Sequence, residues 1–410
     1  MEQIQLIKVS LQFSSNPIPV GQLVIKNRSI YFKYDDSFLE TGLEISPFKL
    51  KLSDGVLTPI TQIFDGLFGV FNDSLPDGWG RLLLDRALLS KGKSITSITP
   101  LDRLAFVGKT GTGALTYKPD FLSDETIDKQ LDLDEISQEM THLLEGSPSD
   151  IIDELFYLGG SSGGARPKAF VGYNPKTNHL IHGNPILPPG YEHWILKFPS
   201  NSDPLDIAQI EYAYHQMALD SGIEMSQCKL FQGSSGASYF ATKRFDREQN
   251  NRIHLHSASG LLNDNFRYST LDYGNLMDCA FRLENHVDAY SKVLRLATFN
   301  VFSHNKDDHS KNVSFLMDSN GKWKLAPAYD LTYSNSSHGM QSTMVAGESK
   351  SPGKQHLFEL AKTFGVKKPE LILQEVNDVI SNWNTYAKNA GVSEHSRKLI
   401  AKTINEISKN

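Results

Sequence analysis

The sequence has few cysteines and no long apolar run, and each absence excludes a class of protein. Cys228 and Cys279 are the only cysteines among 410 residues. Without a Cys-x-x-Cys pair they indicate neither a disulfide framework nor a zinc site. No apolar run reaches the roughly 18 residues that a membrane-spanning helix needs, and the opening MEQIQLIKVS lacks the basic start and apolar core of a signal peptide. We therefore expect a cytoplasmic protein with no membrane partner.

A surplus of positive charge is also missing. The chain has 41 Lys and Arg against 47 Asp and Glu, which gives a net charge of −6. Strong binding to DNA phosphates needs clustered Lys and Arg, so we expect any DNA contact to be made mainly through a basic partner. The length is sufficient for two or three subdomains with substantial cores.

The most informative stretch runs from residue 305 to residue 330. Asp307 precedes Asn312 by five residues, two strand-like runs, VSFLM and KWKLA, come next, and Asp330 follows them. Protein kinases arrange their chemistry in this order: an Asp that orients the attacking hydroxyl, a metal-binding Asn, a hairpin and a metal-binding Asp. A rigid hairpin would return Asp330 to the mouth of the loop. Three oxygen ligands would then converge where Mg²⁺ and phosphate bind.

An Asp and an Asn at this spacing also occur by chance in many loops. Asp307, Asp308 and His309 would suit an exposed polar turn or part of a metallohydrolase cluster as well. However, the preceding segment from Tyr290 to His304 has a broad helical apolar face. The chain therefore passes from a buried helix into a polar loop and then into a hairpin, and this order favours a catalytic loop.

A Gly-rich stretch, GGSSGGARPK, occupies residues 159–168 and leads into a strand-like run at residues 169–172. Glycines let backbone N–H groups approach phosphate oxygens closely, and Arg166 or Lys168 would add positive charge. The stretch matches neither the P-loop nor the kinase Gly-rich pattern. A flexible linker has a similar composition, but the strand that follows favours a phosphate-binding loop.

A lysine on the next predicted strand and a glutamate on the next predicted helix form a second kinase-like feature. Lys197 lies in HWILKFP, and Glu211 lies within the apolar stripe of a helix over residues 205–220. A carboxylate on a buried face needs a charged or hydrogen-bonding partner, so we expect Lys197 to pair with Glu211, as in kinases. Residues 243–245 would then connect two lobes and present backbone groups to adenine. A plain strand followed by a solvated turn explains them equally well.

A set of motifs distributed over nearly the whole chain occurs together in one known family. In chain order they are FNDSLPD (71–77) with Arg81, GKTGTGAL (108–115), SSGGARPKA (161–169), ILKFP (195–199), KRFDR (243–247), DDHSKN (307–312) and APAYD (326–330). With these motifs the chain resembles the HipA family of serine/threonine kinases, the toxin half of bacterial toxin–antitoxin pairs. It departs from the best-known members at Arg166-Pro167, where they have a neutral polar and an acidic residue, and at Asp308, where they have Gly.

The resemblance implies an α+β, two-lobed protein-kinase-like fold with an extra N-terminal β-rich subdomain and an all-helical C-terminal lobe. We place the N-terminal subdomain at residues 1–155, the ATP-binding part of the N-lobe at 156–247 and the helical C-lobe at 248–410. The Pro- and Gly-rich segment 178–191 is expected to be a surface loop, and the polar segment 332–353 a mobile equivalent of an activation segment.

The N-terminal region shows further patterns in its residues. Residues 4–52 alternate as antiparallel strands do, with turn points at Gly21 and at Asn27-Arg28. Residues 77–89 are typical of a helix with an acidic cap.

The resemblance also implies the site residues. Asp307 would be the catalytic residue, Asn312 and Asp330 would hold Mg²⁺, and Lys197 would contact the phosphates of ATP. A serine of the Gly-rich loop, Ser161 or its neighbour Ser162, would be autophosphorylated, which ejects the loop and silences the kinase. The residues implied to line the nucleotide pocket are Gly163, Gly164, Ala165, Arg166, Pro167, Lys168, Lys243, Arg244, Phe245, His309, Ser310, Lys311, Asn312, Tyr329 and Asp330.

The function that the resemblance implies is growth arrest by phosphorylation of a serine in a translation enzyme, such as an aminoacyl-tRNA synthetase. The implied partner is a HipB-like helix-turn-helix antitoxin, which inhibits the kinase and tethers it to operator DNA. Two alternatives stay open: a non-catalytic, kinase-shaped corepressor or scaffold for a DNA-binding antitoxin, and a small-molecule phosphotransferase of the kinase-like superfamily. The β-rich N-terminal region and the serine in the Gly-rich loop favour the protein kinase.

Overall fold

The computed structural model describes residues 3–92, 94–121, 131–147, 149, 151–160, 163–336 and 339–407. Within these ranges an N-terminal β-rich region is followed by an N-lobe built on one sheet and by a largely helical C-lobe. None of the described helices is long and apolar enough to cross a bilayer.

The N-terminal region is built on a four-stranded antiparallel sheet. Its elements are β1 (Leu6–Leu11), β2 (Ile18–Lys26), β3 (Ser29–Tyr34), α1 (Asp36–Leu39), α2 (Gly69–Asn72), α3 (Gly78–Ser90), α4 (Pro100–Val107) and β4 (Leu115–Lys118), with a 3₁₀ turn at Ile95–Ser97. The strand order is β3-β2-β1-β4. Residues of β1 and β3 alternate between exposed and buried, as in a sheet with one covered face.

One predicted turn in this sheet is confirmed and the other is wrong. Asn27 and Arg28 connect β2 to β3, and both have positive φ, as a tight hairpin turn requires. Gly21 instead lies inside β2, opposite Tyr34. A Cβ atom at Gly21 would lie 2.2 Å from the carbonyl oxygen of Lys33. Glycine is therefore needed there for the close approach of two strands and not for a turn.

The N-lobe is a five-stranded antiparallel sheet with the order β6-β5-β7-β9-β8. The helices α5 (Leu133–Leu144) and α6 (Ile152–Gly159) precede the sheet. The elements of the sheet and its helix are β5 (Lys168–Asn174), β6 (His179–His182), β7 (Glu192–Lys197), α7 (Ile207–Asp220), β8 (Cys228–Gln232) and β9 (Ser238–Lys243), and the short ribbon β10 (Arg247–Glu248) and β11 (Asn251–Arg252) follows them. One face of the sheet packs against α3 and α6, where Val171, Trp194 and Leu196 share a core with Trp79 and Phe156.

The expected surface loop at residues 178–191 is corrected in part. Its first residues form β6, which pairs with β5 from Val171 opposite His182 to Asn174 opposite His179. Leu180 and Ile181 are buried, and this burial stabilises the strand although the Pro- and Gly-rich remainder of the segment is typical of a loop.

The C-lobe is mostly helical but contains a small sheet. Its elements are β12 (His254–Ser257), α8 (Ala258–Leu262), α9 (Tyr273–Glu284), α10 (Asp288–Phe302), a 3₁₀ turn at Ser310–Asn312, β13 (Ser314–Met317), β14 (Trp323–Leu325), α11 (Lys354–Thr363), α12 (Pro369–Ser381), α13 (Trp383–Asn389) and α14 (Glu394–Ile407). The predicted hairpin β13–β14 is present, and β12 pairs with its first strand. The expectation of an all-helical lobe is corrected on this point, because the backbone groups of β13 need partners on both edges.

Buried hydrogen bonds fix the N-terminal region to the C-lobe. His256 of β12 lies between Ser46 and Asp73: its Nε2 is 2.9 Å from Ser46 Oγ, and its Nδ1 is 2.6 Å from Asp73 Oδ2. His254 Nε2 lies 2.9 Å from the carbonyl oxygen of Ile45. These side chains are almost completely buried, so losing one partner would leave a polar group unsatisfied.

Candidate functional site

A cavity of about 960 Å³ opens between the sheet of the N-lobe and the loops of the C-lobe. This size is typical of sites that bind small ligands and cofactors. Most of the predicted site residues line it: Gly163, Gly164, Ala165, Arg166, Lys168, Lys197, Lys243, Arg244, Phe245, Asp307, His309, Lys311, Asn312, Tyr329 and Asp330.

Two predicted pocket residues do not line the cavity. Pro167 lies just before β5, and its carbonyl oxygen accepts a backbone hydrogen bond. Ser310 is buried in the C-lobe, where its hydroxyl donates to the carboxylate of Asp264. The predicted autophosphorylation sites, Ser161 and Ser162, lie outside the described residues.

The loop after α10 places Asp307 at the mouth of the cavity. The side chain of Asp307 is 57 % exposed, and His309 Nε2 lies 3.9 Å from its Oδ1. Asn312 Nδ2 donates to the backbone oxygen of Asp307 at 2.9 Å, which closes the loop and leaves the amide oxygen as the atom that Asn312 offers to a ligand. Protein atoms that displace solvent raise the pKa of Asp307, and the charge of Asp330 raises it further against the opposing effect of His309.

The ammonium group of Lys197 joins two carboxylates at the floor of the cavity. It contacts both Glu211 of α7 and Asp330, so the predicted Lys197–Glu211 pair is present. The side chains of Lys197 and Glu211 are 11 % and 6 % exposed, and such burial of charge needs pairing of this kind. Burial alone would lower the pKa of Lys197, but Asp330 and Glu211 outweigh it and raise that pKa. Burial alone would raise the pKa of Asp330, but Lys197 and Lys168 hold it below its ordinary value.

A second lysine faces the same space from the neighbouring strand. Lys168 of β5 lies directly opposite Lys197 of β7. Burial lowers the pKa of Lys168 and Lys197 lowers it further, while Asp330 acts in the opposite direction. Gly164 has φ of 88°, a conformation that favours glycine, and a Cβ there would lie 2.6 Å from Lys168 Nζ. A backbone loop and two ammonium groups therefore surround one space, which suits phosphate groups.

The charged side chains of the connection between the lobes, residues 243–245, form ion pairs with other side chains of the protein. Lys243 Nζ lies 2.8 Å from a carboxylate oxygen of Glu192, and the guanidinium group of Arg244 is buried in an ion pair. The ring of Phe245 lies 5.6 Å from that of Tyr329. This part of the cavity therefore offers aromatic and backbone surfaces to a ligand.

Sequence reasoning missed a buried network behind this connection. Asp246 accepts hydrogen bonds from Arg244 Nε at 2.9 Å, from Arg247 Nη1 at 2.7 Å and from the N–H of Gly113 at 2.7 Å. Arg247 Nη2 donates to the carbonyl oxygen of Gly111 at 2.8 Å. The GKTGTGAL and KRFDR motifs therefore contact each other. Both motifs were visible in the sequence, but a contact between residues 133 positions apart was not.

Asp308 was also missed as a functional residue. It is buried, and its carboxylate accepts hydrogen bonds from the Tyr273 hydroxyl at 2.6 Å and from the N–H groups of Ser342 and Thr343 at 2.9 and 3.2 Å. Burial raises the pKa of Asp308 to about 7, although these hydrogen bonds lower it. The residue next to Asp307 thus ties the loop to part of the segment that was expected to be mobile.

The donor atoms at the cavity fit Mg²⁺ only together with other ligands. Among the residues that the structure describes, no group of three or more His, Cys, Asp or Glu side chains could hold a metal ion. The predicted set consists of the Asn312 amide oxygen and the Asp330 carboxylate, of which Oδ1 contacts Lys197. These hard oxygen donors suit Mg²⁺, which takes the rest of its shell from water and substrate phosphates.

Comparisons with known proteins match most of the chain to one family. Two family models match, the HipA N-terminal domain over residues 11–118 and the HipA-like C-terminal domain over residues 160–383. A relative from Haemophilus influenzae described as a putative kinase is 26% identical over 176 residues, which is 39% of this chain and 50% of the relative. The match thus spans about half the length of that curated relative.

A solved structure resembles nearly the whole chain. It is HipA of Shewanella oneidensis MR-1, solved in a complex of that organism's HipA–HipB toxin–antitoxin system and its operator DNA. The TM-score is 0.69 and the sequence identity is 19%. The match covers 97% of this chain and 95% of that chain, and at this identity it shows the fold alone. The expected two-lobed, kinase-like fold is confirmed, and with more than half of its residues inside the matching models the chain belongs to the HipA family.

Proposed function

We propose that this protein is a serine/threonine protein kinase that uses ATP and Mg²⁺. The observation that carries the proposal is the arrangement around Lys197, whose ammonium group contacts Glu211 and Asp330 while Asp307 lies at the mouth of the same cavity. Kinases use a Lys–Glu pair to orient phosphates, a loop Asp for the attacking hydroxyl and a later Asp for metal. A scaffold without activity would need none of these groups around one cavity.

The roles of the side chains follow from their positions. Asp307 would accept or orient the proton of the attacking hydroxyl, and its raised pKa suits a base. Lys197 and Lys168 would neutralise phosphate charge. Asn312 and Asp330 would hold Mg²⁺, which supplies further neutralisation of the transferred phosphate when it is bound. Catalysis would be mostly positioning and electrostatic stabilisation.

The remaining cavity residues would bind the rest of the nucleotide. The backbone from Gly163 to Lys168 would approach the phosphates, and backbone groups from Lys243 to Phe245 would face adenine beside Tyr329. His309, Lys311 and Asn312 would complete the pocket from the C-lobe.

We further infer that the protein is the toxin of a toxin–antitoxin pair. The Shewanella HipA was solved with HipB and operator DNA, which supports a HipB-like helix-turn-helix antitoxin as partner. A net charge of −6 agrees with operator contact through that partner. The substrate class, a serine in a translation enzyme such as an aminoacyl-tRNA synthetase, rests on the family resemblance, as does self-silencing at Ser161 or Ser162. The same resemblance supports action in the cytoplasm and the division at residues 155 and 247.

Turnover of ATP by matched variants tests the proposal. The purified protein, Asp307→Asn and Asp278→Asn are incubated with Mg²⁺ and γ-labelled ATP, and label transfer to protein and to water is measured. Asp278 is a suitable control because its side chain is 57 % exposed, like that of Asp307, but lies on the surface of α9. We expect transfer in the wild type and in Asp278→Asn, and at least a hundredfold loss in Asp307→Asn. Equal turnover in all three proteins would contradict the assignment.

A further inference from the structure

Asp77 begins α3 but does not cap it. It occupies the N-cap position, yet its carboxylate accepts no hydrogen bond from the N–H groups of that helix. An Asp at this position ordinarily accepts from the second or third helical residue. Here Oδ1 accepts from the N–H of Gly164, and Oδ2 lies 2.6 Å from Nζ of Lys311. The carboxylate therefore joins two distant parts of the cavity wall.

The two residues after Asp77 also hold the Gly-rich loop. The N–H of Trp79 donates to the carbonyl oxygen of Gly164 at 2.9 Å, and its indole N–H donates to that of Lys168 at 3.2 Å. Gly78 has φ of 44°, and a Cβ there would lie 2.4 Å from the carbonyl oxygen of Gly164. The start of α3 thus contacts Gly164 through both its N–H and its carbonyl group, which fixes the two peptide units on either side of the Gly164 Cα.

The electrostatics at Asp77 strengthen this contact. The side chains of Asp77 and Lys311 are each 15 % exposed. Burial alone would raise the pKa of Asp77, but the Lys311 ammonium group and the Gly164 N–H lower it. Hydrogen bonds to a charged group are stronger than those between neutral groups. Lys311 directly precedes Asn312 in the loop that carries Asp307, so the ionised Asp77 connects the Gly-rich loop to that loop.

We propose that Asp77 is a positioning residue, which holds the Gly-rich loop over the phosphate end of the cavity by linking Gly164 to Lys311. The inference rests on the proposed function, because the loop that Asp77 holds is the proposed phosphate-binding loop. Asp77 belongs to the N-terminal region, so that region would contribute to nucleotide binding by positioning this loop and would not serve only as an appended subdomain.

Hydrogen exchange of the nucleotide-free protein tests the link itself. Asp77→Ala removes both the hydrogen bond from the Gly164 N–H and the ion pair with Lys311. Asp77→Asn keeps an acceptor for the Gly164 N–H and removes only the ion pair. Asp132→Asn is the control, because Asp132 caps α5 in the ordinary way and does not line the cavity. We expect amide exchange in residues 163–168 to accelerate at least tenfold in Asp77→Ala, less in Asp77→Asn and not at all in Asp132→Asn. An unchanged rate in Asp77→Ala would overturn the proposal.

Ligand binding separates positioning from a general loss of structure. We expect Asp77→Ala to bind ATP at least tenfold more weakly than the wild type and adenosine with unchanged affinity, because the link acts on the phosphate end. Tighter ATP binding would overturn the proposal. That result is expected if Asp77 only repels the phosphates of ATP and does not hold the loop. If the wild type binds no ATP, the proposed function fails, and the exchange rates still decide whether Asp77 holds the loop.

Discussion

Lys168 and Lys197 lie directly opposite each other on neighbouring strands of the N-lobe sheet. Like charges in such a position repel each other and destabilise a sheet. The pair persists because Glu211 and Asp330 contact Lys197 and because Asp330 also acts on Lys168. Two positive groups are thereby concentrated at the floor of the cavity, where the proposed function needs them to neutralise ATP phosphates.

The two lysines should differ in their effect on stability. Lys197→Met is expected to lower the free energy of unfolding by about 3 kcal/mol, because it leaves the buried carboxylate of Glu211 and the partly buried one of Asp330 without their ammonium partner. Lys168→Met removes a repulsive charge, and we expect a change within about 1 kcal/mol. Urea unfolding measures both values. A loss in Lys168→Met as large as that in Lys197→Met would contradict the pairing described.

Asp246→Asn should destabilise the protein strongly. The carboxylate lies between Arg244 and Arg247, and all three side chains are no more than 5 % exposed. Neutralising the central charge leaves two buried guanidinium groups underpaired, which costs about 3 kcal/mol or more. Thermal unfolding checks this, with Asp278→Asn as the surface control. A melting temperature equal to that of the wild type would show that the network contributes little.

The burial of His254 predicts a pH-dependent stability. Burial lowers the pKa of His254 to about 4, whereas an unfolded chain titrates near its ordinary value. As pH falls from about 6.5 towards 4, the imidazole of His254 binds a proton in the unfolded chain but not in the folded protein. The free energy of unfolding therefore decreases. Between pH 7 and pH 5 this group accounts for about 2 kcal/mol.

Unfolding of His254→Gln at the two pH values measures this contribution. The wild type should lose about 2 kcal/mol more than the variant on acidification, and the exposed His286→Gln should behave like the wild type. The difference between the variants isolates the part of the loss that depends on His254. Equal losses in the wild type and His254→Gln would contradict the prediction.

Asp308→Ala should release the segment that contains Ser342 and Thr343. Both N–H groups donate to this carboxylate, that of Thr343 in a buried hydrogen bond and that of Ser342 in a partly buried one. A buried donor without an acceptor costs about 1–3 kcal/mol. We expect limited proteolysis at residues 339–353 to accelerate at least tenfold, while Asp278→Asn is cleaved at the wild-type rate. A segment equally resistant in Asp308→Ala would show that other contacts hold it.

The parts of the site that are close in sequence could be predicted, and those built from distant segments could not. The loop with Asp307 and Asn312, the hairpin after it and the pairing of Lys197 with Glu211 follow from short spacings and from the apolar stripe of one helix. Buried positions at fixed intervals specify such local structure.

The contacts of Asp77 and of Gly113 could not be predicted from local patterns, because they join segments that are far apart in the sequence. Asp77 looked like an ordinary helix cap, because its partners Gly164 and Lys311 are 87 and 234 residues away. Gly21 looked like a turn residue, because the sequence does not show that another strand approaches it closely. The sequence of β12 gives little indication that this strand pairs with the hairpin. In each case tertiary contact overrides a local preference.

Mapping the phosphate acceptor tests the central claim most directly. The protein is incubated with Mg²⁺ and γ-labelled ATP beside Asp307→Asn, with and without a mixture of translation enzymes, and labelled residues are identified by mass spectrometry. The proposed kinase should carry phosphate on serine, at Ser161 or Ser162 or in an added enzyme, and Asp307→Asn should carry none. Bound ATP with no phosphorylated residue in any protein would contradict a protein kinase.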